Sequence, residues 1–203
     1  TKLIYKQLSN PDLTPEKKDQ MLKHLKLIEN ETKRCGDIVK GLLDFSKKDQ
    51  EDFEPLHLHE ILQDTSNLMS HSIKIANISF VKEFAAKSDL VYCSPNQVKQ
   101  ACMAILVNAT EAVTENGEII VRTSNPDPDT IVIEIKDNGI GISLEDIPHI
   151  FEPFFSTKQE VHGIGLGLPI AHGIIQSHKG KIQVKSEPGQ GTLISISLPL
   201  IKS

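Results

Sequence analysis

The sequence predicts an α+β protein in which a long helix precedes a block of strands and helices, and three patterns point to it. Mostly apolar residues from Leu22 to Leu42 recur at steps of three and four, the period of a helix packed along one seam. From Glu54 onward, short runs rich in Val, Ile and Phe alternate with segments of helical spacing. Turn-forming stretches at Asn125 to Asp129, Asp137 to Gly141, Gly163 to Gly167 and Glu187 to Gly191 separate the later runs.

Ser9-Asn-Pro-Asp-Leu-Thr-Pro15 reads as a loop, with Thr14 as N-cap, Pro15 at the first helical position and Glu16 in the first turn. A helix over 15–49 would span about 50 Å at about 1.5 Å per residue, too long for the core of a compact domain. Its seam is Leu22, Leu25, Ile28, Thr32, Cys35, Val39, Leu42 and Ser46, and it holds through Leu42. A short loop makes antiparallel neighbours of the helices it joins, so the expected partner is a helix ending near Leu8, and residues 15–49 are expected to form a homodimer. An amphipathic helix lying on its own domain is the alternative. The charged run Ser46 to Asp52 marks a boundary, dividing the chain at 1–50 and 51–203.

In the second part the patterns predict a strand at 54–58, a helix over 59–72, a strand at 78–84 and a helix over 95–115. Strands at 118–124 and 131–136 follow, with Asn125 to Asp129 as their hairpin connection. Residues 143–162 lack a sustained period and read as a loop or lid, with a short helical turn near 144–150. Leu168, Ile170, Ala171, Ile174 and Ile175 predict a helix over 167–178, and strands at 181–186 and 192–198 end the chain.

Composition narrows the function. With 203 residues and 38% apolar side chains the chain can bury one good core beside an appendage. It carries 27 acidic against 22 basic residues, a net charge of −5, and its lysines are dispersed among acids, so neither nucleic acid nor membrane is an expected partner. Cys35, Cys93 and Cys102 are odd in number and lack paired metal spacing, which fits free thiols in a reducing, cytoplasmic setting. The chain starts within an apolar pattern at Leu3, Ile4 and Leu8, so it is expected to be a fragment, with any inner-membrane anchor or sensor of a longer parent lying upstream.

Two glycine-rich turns carry the chemistry. Asp137-Asn-Gly-Ile-Gly141 and Gly163-Ile-Gly-Leu-Gly167 can bring bare backbone N–H groups close to a ligand, and phosphate oxygens suit such donors. The second turn opens a helix, whose N-terminal dipole favours an anion. Neither turn has Gly-x-Gly-x-x-Gly, no Walker sequence occurs, and the His-Arg-Asp and Asp-Phe-Gly pair of Ser/Thr/Tyr kinases is missing. Asn108 and Glu111 stand one turn apart on a predicted helix, and a neutral amide there could complete a Mg²⁺ shell dominated by phosphate and water.

Taken in order, Asn108, Asp137 to Gly141, Phe151-Glu-Pro-Phe-Phe-Ser-Thr-Lys158, Gly163 to Gly167 and Gly189-Gln-Gly-Thr192 resemble the catalytic ATP-binding domain of two-component sensor histidine kinases over residues 53–200. Leu13-Thr-Pro-Glu with Ile38 to Ser46 is similar to the second helix of that family's dimerisation domain. The resemblance implies a two-layer α/β sandwich whose mixed sheet is covered by helices on one face, preceded by the long helix of a helical hairpin. It implies ATP and Mg²⁺ as ligands and a response-regulator receiver domain as partner.

By resemblance, Asp137 would accept from the adenine amino group, Gly139 and Gly141 would allow close approach, and Thr192 would assist at the adenine end. Asn108 would hold Mg²⁺. Gly163, Gly165 and Gly167, with the N–H groups of Leu166 and Leu168, would cradle the phosphates, and Lys158 would add positive charge. Phe151, Phe154 and Phe155 would pack the lid onto the domain. Ala104 replaces a second Asn common in the family, which also removes the water-activating Glu of the gyrase branch. None of His24, His57, His59, His71, His149, His162, His172 and His178 has the His-Glu-x-x-Asn-Pro-like context of a phosphoacceptor. The expected function is transfer of the γ-phosphoryl group to a histidine outside this sequence. An ATP-hydrolysing clamp of the gyrase, MutL or chaperone type and a non-catalytic dimerisation and docking module are the alternatives.

Overall fold

The computed structural model describes residues 14, 17–26, 28–29, 32, 53–114, 116–157 and 165–201. The chain divides into two units, 1–47 and 48–203. In the first, residues 17–26, 28, 29 and 32 are helical. Thr14 starts the helix: its carbonyl accepts the Lys18 N–H at 3.0 Å and its hydroxyl the Lys17 N–H at 3.5 Å. Met21 is buried, whereas the seam residues Leu22 and Ile28 are 53% and 47% exposed in the single chain. The seam from Cys35 onward and the helix ending near Leu8 lie outside the described residues.

The second unit is built, in order, from β1 (Glu54–His57), α1 (Leu58–Ile75), β2 (Ser79–Phe84), β3 (Leu90–Cys93), α2 (Pro95–Ala112), β4 (Glu118–Asp127), β5 (Thr130–Asp137), α3 (Gly167–Ser177), β6 (Lys181–Glu187) and β7 (Gly191–Pro199). A single 3₁₀ turn, Ile147–His149, lies between β5 and α3. Five strands form a sheet in the order β2-β4-β5-β7-β6. β2 runs parallel to β4 and the other pairs are antiparallel, so the sheet is mixed.

Strand alternation decides which face is covered. Ile131, Ile133, Ile135 and Asp137 on β5, and Thr192, Ile194, Ile196 and Leu198 on β7, are buried, while Lys136 between them is exposed. On α2 the buried residues Val98, Ala101, Cys102, Ile105, Leu106 and Ala109 form one stripe, and that helix packs on β5 and β7. α3 packs on α2 and β6, and α1 on α2 and β2. Each fully buried Ile or Leu contributes about 1.5–3 kcal/mol, so this two-layer core holds the strand ends in place. Burial pushes the Cys93 thiol up to about 11 and the Cys102 thiol up to about 12, which keeps both protonated and inert.

Several boundaries differ from expectation. β3, not anticipated, pairs with β1 in a separate antiparallel ladder running from Glu54 opposite Cys93 to His57 opposite Leu90. Four residues are too few to display a period. α1 continues to Ile75, where the Ala76 N–H still reaches the Ser72 carbonyl at 3.0 Å and Asn77 at φ 54° turns the chain. α2 stops at Ala112, because Val113 is already extended. The hairpin also closes later: β4 and β5 continue to Asp127 opposite Thr130 across an irregularity after Ser124. Asn125 is therefore not a turn residue. Its Oδ1 accepts the N–H groups of Lys87 and Ser88, and its Nδ2 donates to the carbonyls of Ser88 and Thr130.

The start of α1 is capped from a distance. Asp89 Oδ2 accepts the His59 N–H at 3.1 Å, and Asp89 Oδ1 lies 2.7 Å from His57 Nδ1. The hydrogen bond and charge of Asp89 raise the His57 pKa above its ordinary 6.5. Burial of Asp89 works against its ionisation, but the His57 contact and the His59 N–H together outweigh it and hold the carboxyl below 3.8.

Candidate functional site

β5 delivers Asp137 to the end of the sheet, 95% shielded from solvent. Its Oδ1 accepts the Gly139 N–H at 2.8 Å and the Thr192 N–H at 3.2 Å, so one oxygen both closes the turn and ties β5 to the start of β7. Asn138 fastens the same turn to β4: its Oδ1 accepts the Glu118 N–H at 2.7 Å and its own N–H donates to the Glu118 carbonyl at 3.2 Å. A side chain on Gly139 would put Cβ 2.5 Å from the Ala112 carbonyl oxygen. Gly141 takes φ +71°, and a Cβ there would overlap the Glu187 backbone, which only glycine avoids. Asp137 therefore caps its own turn, and the same contacts fix its carboxylate in place.

Thr192 is buried beside Asp137, and its hydroxyl lies 2.9 Å from the Ser186 hydroxyl. Asp137, Ser186, Gly191 and Thr192 share the lining of a cavity of about 470 Å³ with Lys136, Leu144, Ile147, Lys185, Glu187, Gln190 and Leu193. That volume falls in the range of about 300–1,000 Å³ usual for small-molecule sites.

A second cluster forms where α2 meets α3. α3 begins at Gly167 after Leu166, with no side chain capping it at that position and with Pro169 at its third residue. A Cβ on Gly167 would stand 3.7 Å from Ala104 Cβ and 3.9 Å from Asn108 Nδ2, so half-buried Asn108 lies against the helix start at Gly167. Gly165 takes φ +70° with the Phe154 and Phe155 backbone directly behind it, and the Phe154 N–H donates to its carbonyl at 3.0 Å. The helix start offers backbone donors and positive dipole at the place where Asn108 offers an amide.

α2 joins the clusters. The Ile140 N–H donates to the Ala112 carbonyl at 3.0 Å, and Asn108 precedes Ala112 by one turn, about 6 Å along the axis. α2 thus links Asp137, Gly139 and Thr192, beside its Ala112 end, with Gly167, which lies by Asn108 one turn earlier, while Gly141 sits against Glu187 and Gly165 against Phe154 and Phe155. The cavity lining includes Asp137 and Thr192 but not Asn108 or Gly167. Lys158 and Gly163 lie outside the described residues.

Among the described residues no three His, Cys, Asp or Glu side chains gather to hold a metal ion. A Mg²⁺ ion completed by Asn108, phosphate oxygens and water fits that donor set, and a cation held by protein carboxylates does not. Most described histidines are engaged elsewhere. His178 is buried, accepts the Ser94 N–H at Nε2 and stacks on Phe53, His59 stacks on Phe84, and His149 meets Glu152. Of the lid phenylalanines, Phe151 stacks on His172 and Phe155 meets His149 in a tilted ring contact, as packing residues should. Phe154 departs from expectation: it is 57% exposed, on a backbone held at φ +69°. Ser186 was not anticipated either, and only its register opposite Thr192 would have exposed it.

Residues 93–202 match the family described as histidine kinase-, DNA gyrase B-, and HSP90-like ATPase. Sporulation kinase E of Bacillus subtilis (strain 168) is 34% identical over 177 residues, covering 87% of this chain and 24% of that protein. The chain spans less than half the length of such curated relatives. Among solved structures, the catalytic domain of histidine kinase ThkA is 30% identical with a TM-score of 0.65, over 72% of this chain and 97% of that one. ThkA in complex with response regulator protein TrrA matches at 26% identity and a TM-score of 0.75, over 98% of this chain and 56% of that one.

Proposed function

This chain belongs to the histidine kinase-, DNA gyrase B-, and HSP90-like ATPases, as the catalytic ATP-binding domain of a sensor histidine kinase, and from that premise we propose that its two clusters hold the two ends of one Mg²⁺-ATP. Asp137 accepts from the adenine amino group with Thr192 beside it, and the Asp137 to Gly141 turn lets the base and sugar approach. Asn108 completes the Mg²⁺ shell. Backbone N–H groups from Gly163 to Leu168 take the phosphates, with Lys158 supplying further charge. Bound Mg²⁺ neutralises phosphate charge; positioning of the γ-phosphoryl group is the protein's part, because phosphoryl transfer needs alignment more than covalent help.

The reaction moves the γ-phosphoryl from the bridging oxygen of ATP to a nitrogen of a histidine on a dimerisation helix, releasing ADP, and a receiver-domain aspartate takes it next. Residues 1–50 serve dimerisation, a reading supported by the exposure of Leu22 and Ile28 in the single chain. The kinase works in the cytoplasm as part of a longer protein.

The observation that carries this reading is that the turn capped by Asp137 is fastened to the Ala112 end of α2, while Asn108, one turn earlier on the same helix, lies beside Gly167 at the start of α3. Ala104 against the start of α3 offers no carboxylate to activate water, which disfavours a hydrolytic clamp. Calorimetry with ATP and GTP tests the reading: ATP is expected to bind with Mg²⁺ and GTP at least tenfold more weakly, while labelled ATP leaves no phosphohistidine on this chain. Equal binding of both nucleotides, or sustained turnover to ADP, would contradict it.

A further inference from the structure

Ser186 lies near the end of β6, opposite Thr192 in the β6–β7 ladder. Its hydroxyl meets three groups: the Ile142 N–H at 2.8 Å, the Gly191 carbonyl oxygen at 2.8 Å and the Thr192 hydroxyl at 2.9 Å. A serine hydroxyl has one proton and two lone pairs. The Gly191 carbonyl can only accept, so the Ser186 proton goes there. The Ile142 N–H can only donate, so it occupies one lone pair. Thr192 must then donate its own proton into the second.

This assignment fixes what Thr192 can offer a ligand. With its proton committed to Ser186, its oxygen has only lone pairs left. Thr192 and Asp137 are 7% and 5% exposed, are linked by the Thr192 N–H on Asp137 Oδ1, and line the same cavity. Side by side they form a wall of acceptors.

We propose that Ser186 is a positioning residue that locks the Thr192 hydroxyl as an acceptor, so that this wall selects a purine bearing a 6-amino donor over one bearing a 6-oxo acceptor. The inference rests on the nucleotide reading above and adds to it a residue whose hydroxyl is fully engaged within the protein. A 6-oxo group would face two acceptors, which leaves buried polar atoms unpaired. Once freed, the Thr192 hydroxyl can turn and donate to that oxygen, and the discrimination weakens.

ATP and ITP differ at the purine 6-position in this way, and calorimetry with both on the full 203-residue chain tests the proposal. The ratio of ATP to ITP affinity is expected to narrow about tenfold in Ser186→Ala, the worth of one buried hydrogen bond. Ser186→Thr, which keeps the hydroxyl, should restore the ratio. Thr192→Val should narrow it as much, and Ser186→Ala should add nothing in the Thr192→Val background. Equal weakening of both nucleotides in Ser186→Ala would make Ser186 merely structural and overturn the proposal. If Ser186→Ala fails to fold, the Thr192→Val chain decides: an unchanged ratio there overturns the proposal as well. A wild-type chain that binds no ATP would overturn the nucleotide reading itself, which separates the two failures.

Discussion

At Asp137 the polypeptide supplies its own partners: a carboxylate oxygen takes two backbone N–H groups, a hydroxyl network from Ser186 surrounds Thr192, and glycines let three backbones touch. At Asn108 it supplies space instead. The nearest neighbours of a Cβ placed on Gly167 are 3.7 Å and 3.9 Å away, and the start of α3 has no capping side chain at Leu166. In the proposed reading the first end, preorganised by close contact, reads the base. The second keeps donors available for a charged group that brings its own oxygens. In that reading, preorganised hydrogen bonding would let one end discriminate, and a helix terminus would let the other tolerate a changing phosphate chain.

That contrast ranks the expected effects of mutation. The largest should come from Gly191→Ala, because Gly191 takes φ +82° and its Cβ would overlap the Asp137 carbonyl; about 3 kcal/mol of stability should be lost, read as a lowered melting temperature. Gly167→Ala, with ordinary contact distances, should cost much less, and equal losses would erase the contrast. Asp137→Asn should next weaken ATP binding by about 2 kcal/mol, roughly thirtyfold, because it exchanges a charged acceptor for a neutral amide. The same drop should appear for adenosine, which has no phosphates.

Asn108→Ala should sharpen the comparison in the opposite sense. We expect a loss of about 1 kcal/mol in Mg²⁺-ATP binding, little change for adenosine, and loss of the Mg²⁺ dependence in a titration with chelator. The smallest effect lies outside the site, at His57 and Asp89. His57 is raised from 6.5, so its contribution is complete below pH 6.5 and fades as pH rises through its folded value. Asp89 is lowered from 3.8, so its contribution is complete above pH 3.8 and fades as pH falls through its folded value. Melting temperature should therefore show a shallow plateau between those limits that Asp89→Asn flattens, with nucleotide affinity unchanged.

Much of this was legible in the sequence, and the unread parts share a cause. α2 and α3 were plain from apolar spacing, and β5 to β7 from alternation bounded by glycine turns, because each signal is local. β3 was not, since its four residues earn their place only by pairing with β1 some 36 positions earlier. The turn at Pro128 and Asp129 was placed too early because Asn125, a turn residue by type, spends its amide on Lys87, Ser88 and Thr130. In the site, Asp137, Gly139, Gly141, Asn108 and Gly167 stood out through motif and spacing, and Thr192 through the family resemblance. Ser186 did not: a serine in a strand has no signature, and its role arises from the β6–β7 register and a backbone N–H 44 residues away.

The claim that one nucleotide bridges both ends is most directly tested by mapping backbone amide shifts as the chain is titrated first with adenosine and then with Mg²⁺-ATP. Adenosine should move Gly139 and Thr192 alone, and Mg²⁺-ATP should move these together with Gly167, Leu168 and the Asn108 side-chain amide. If Mg²⁺-ATP moves one set and leaves the other at rest, the two clusters do not share a ligand and the account fails.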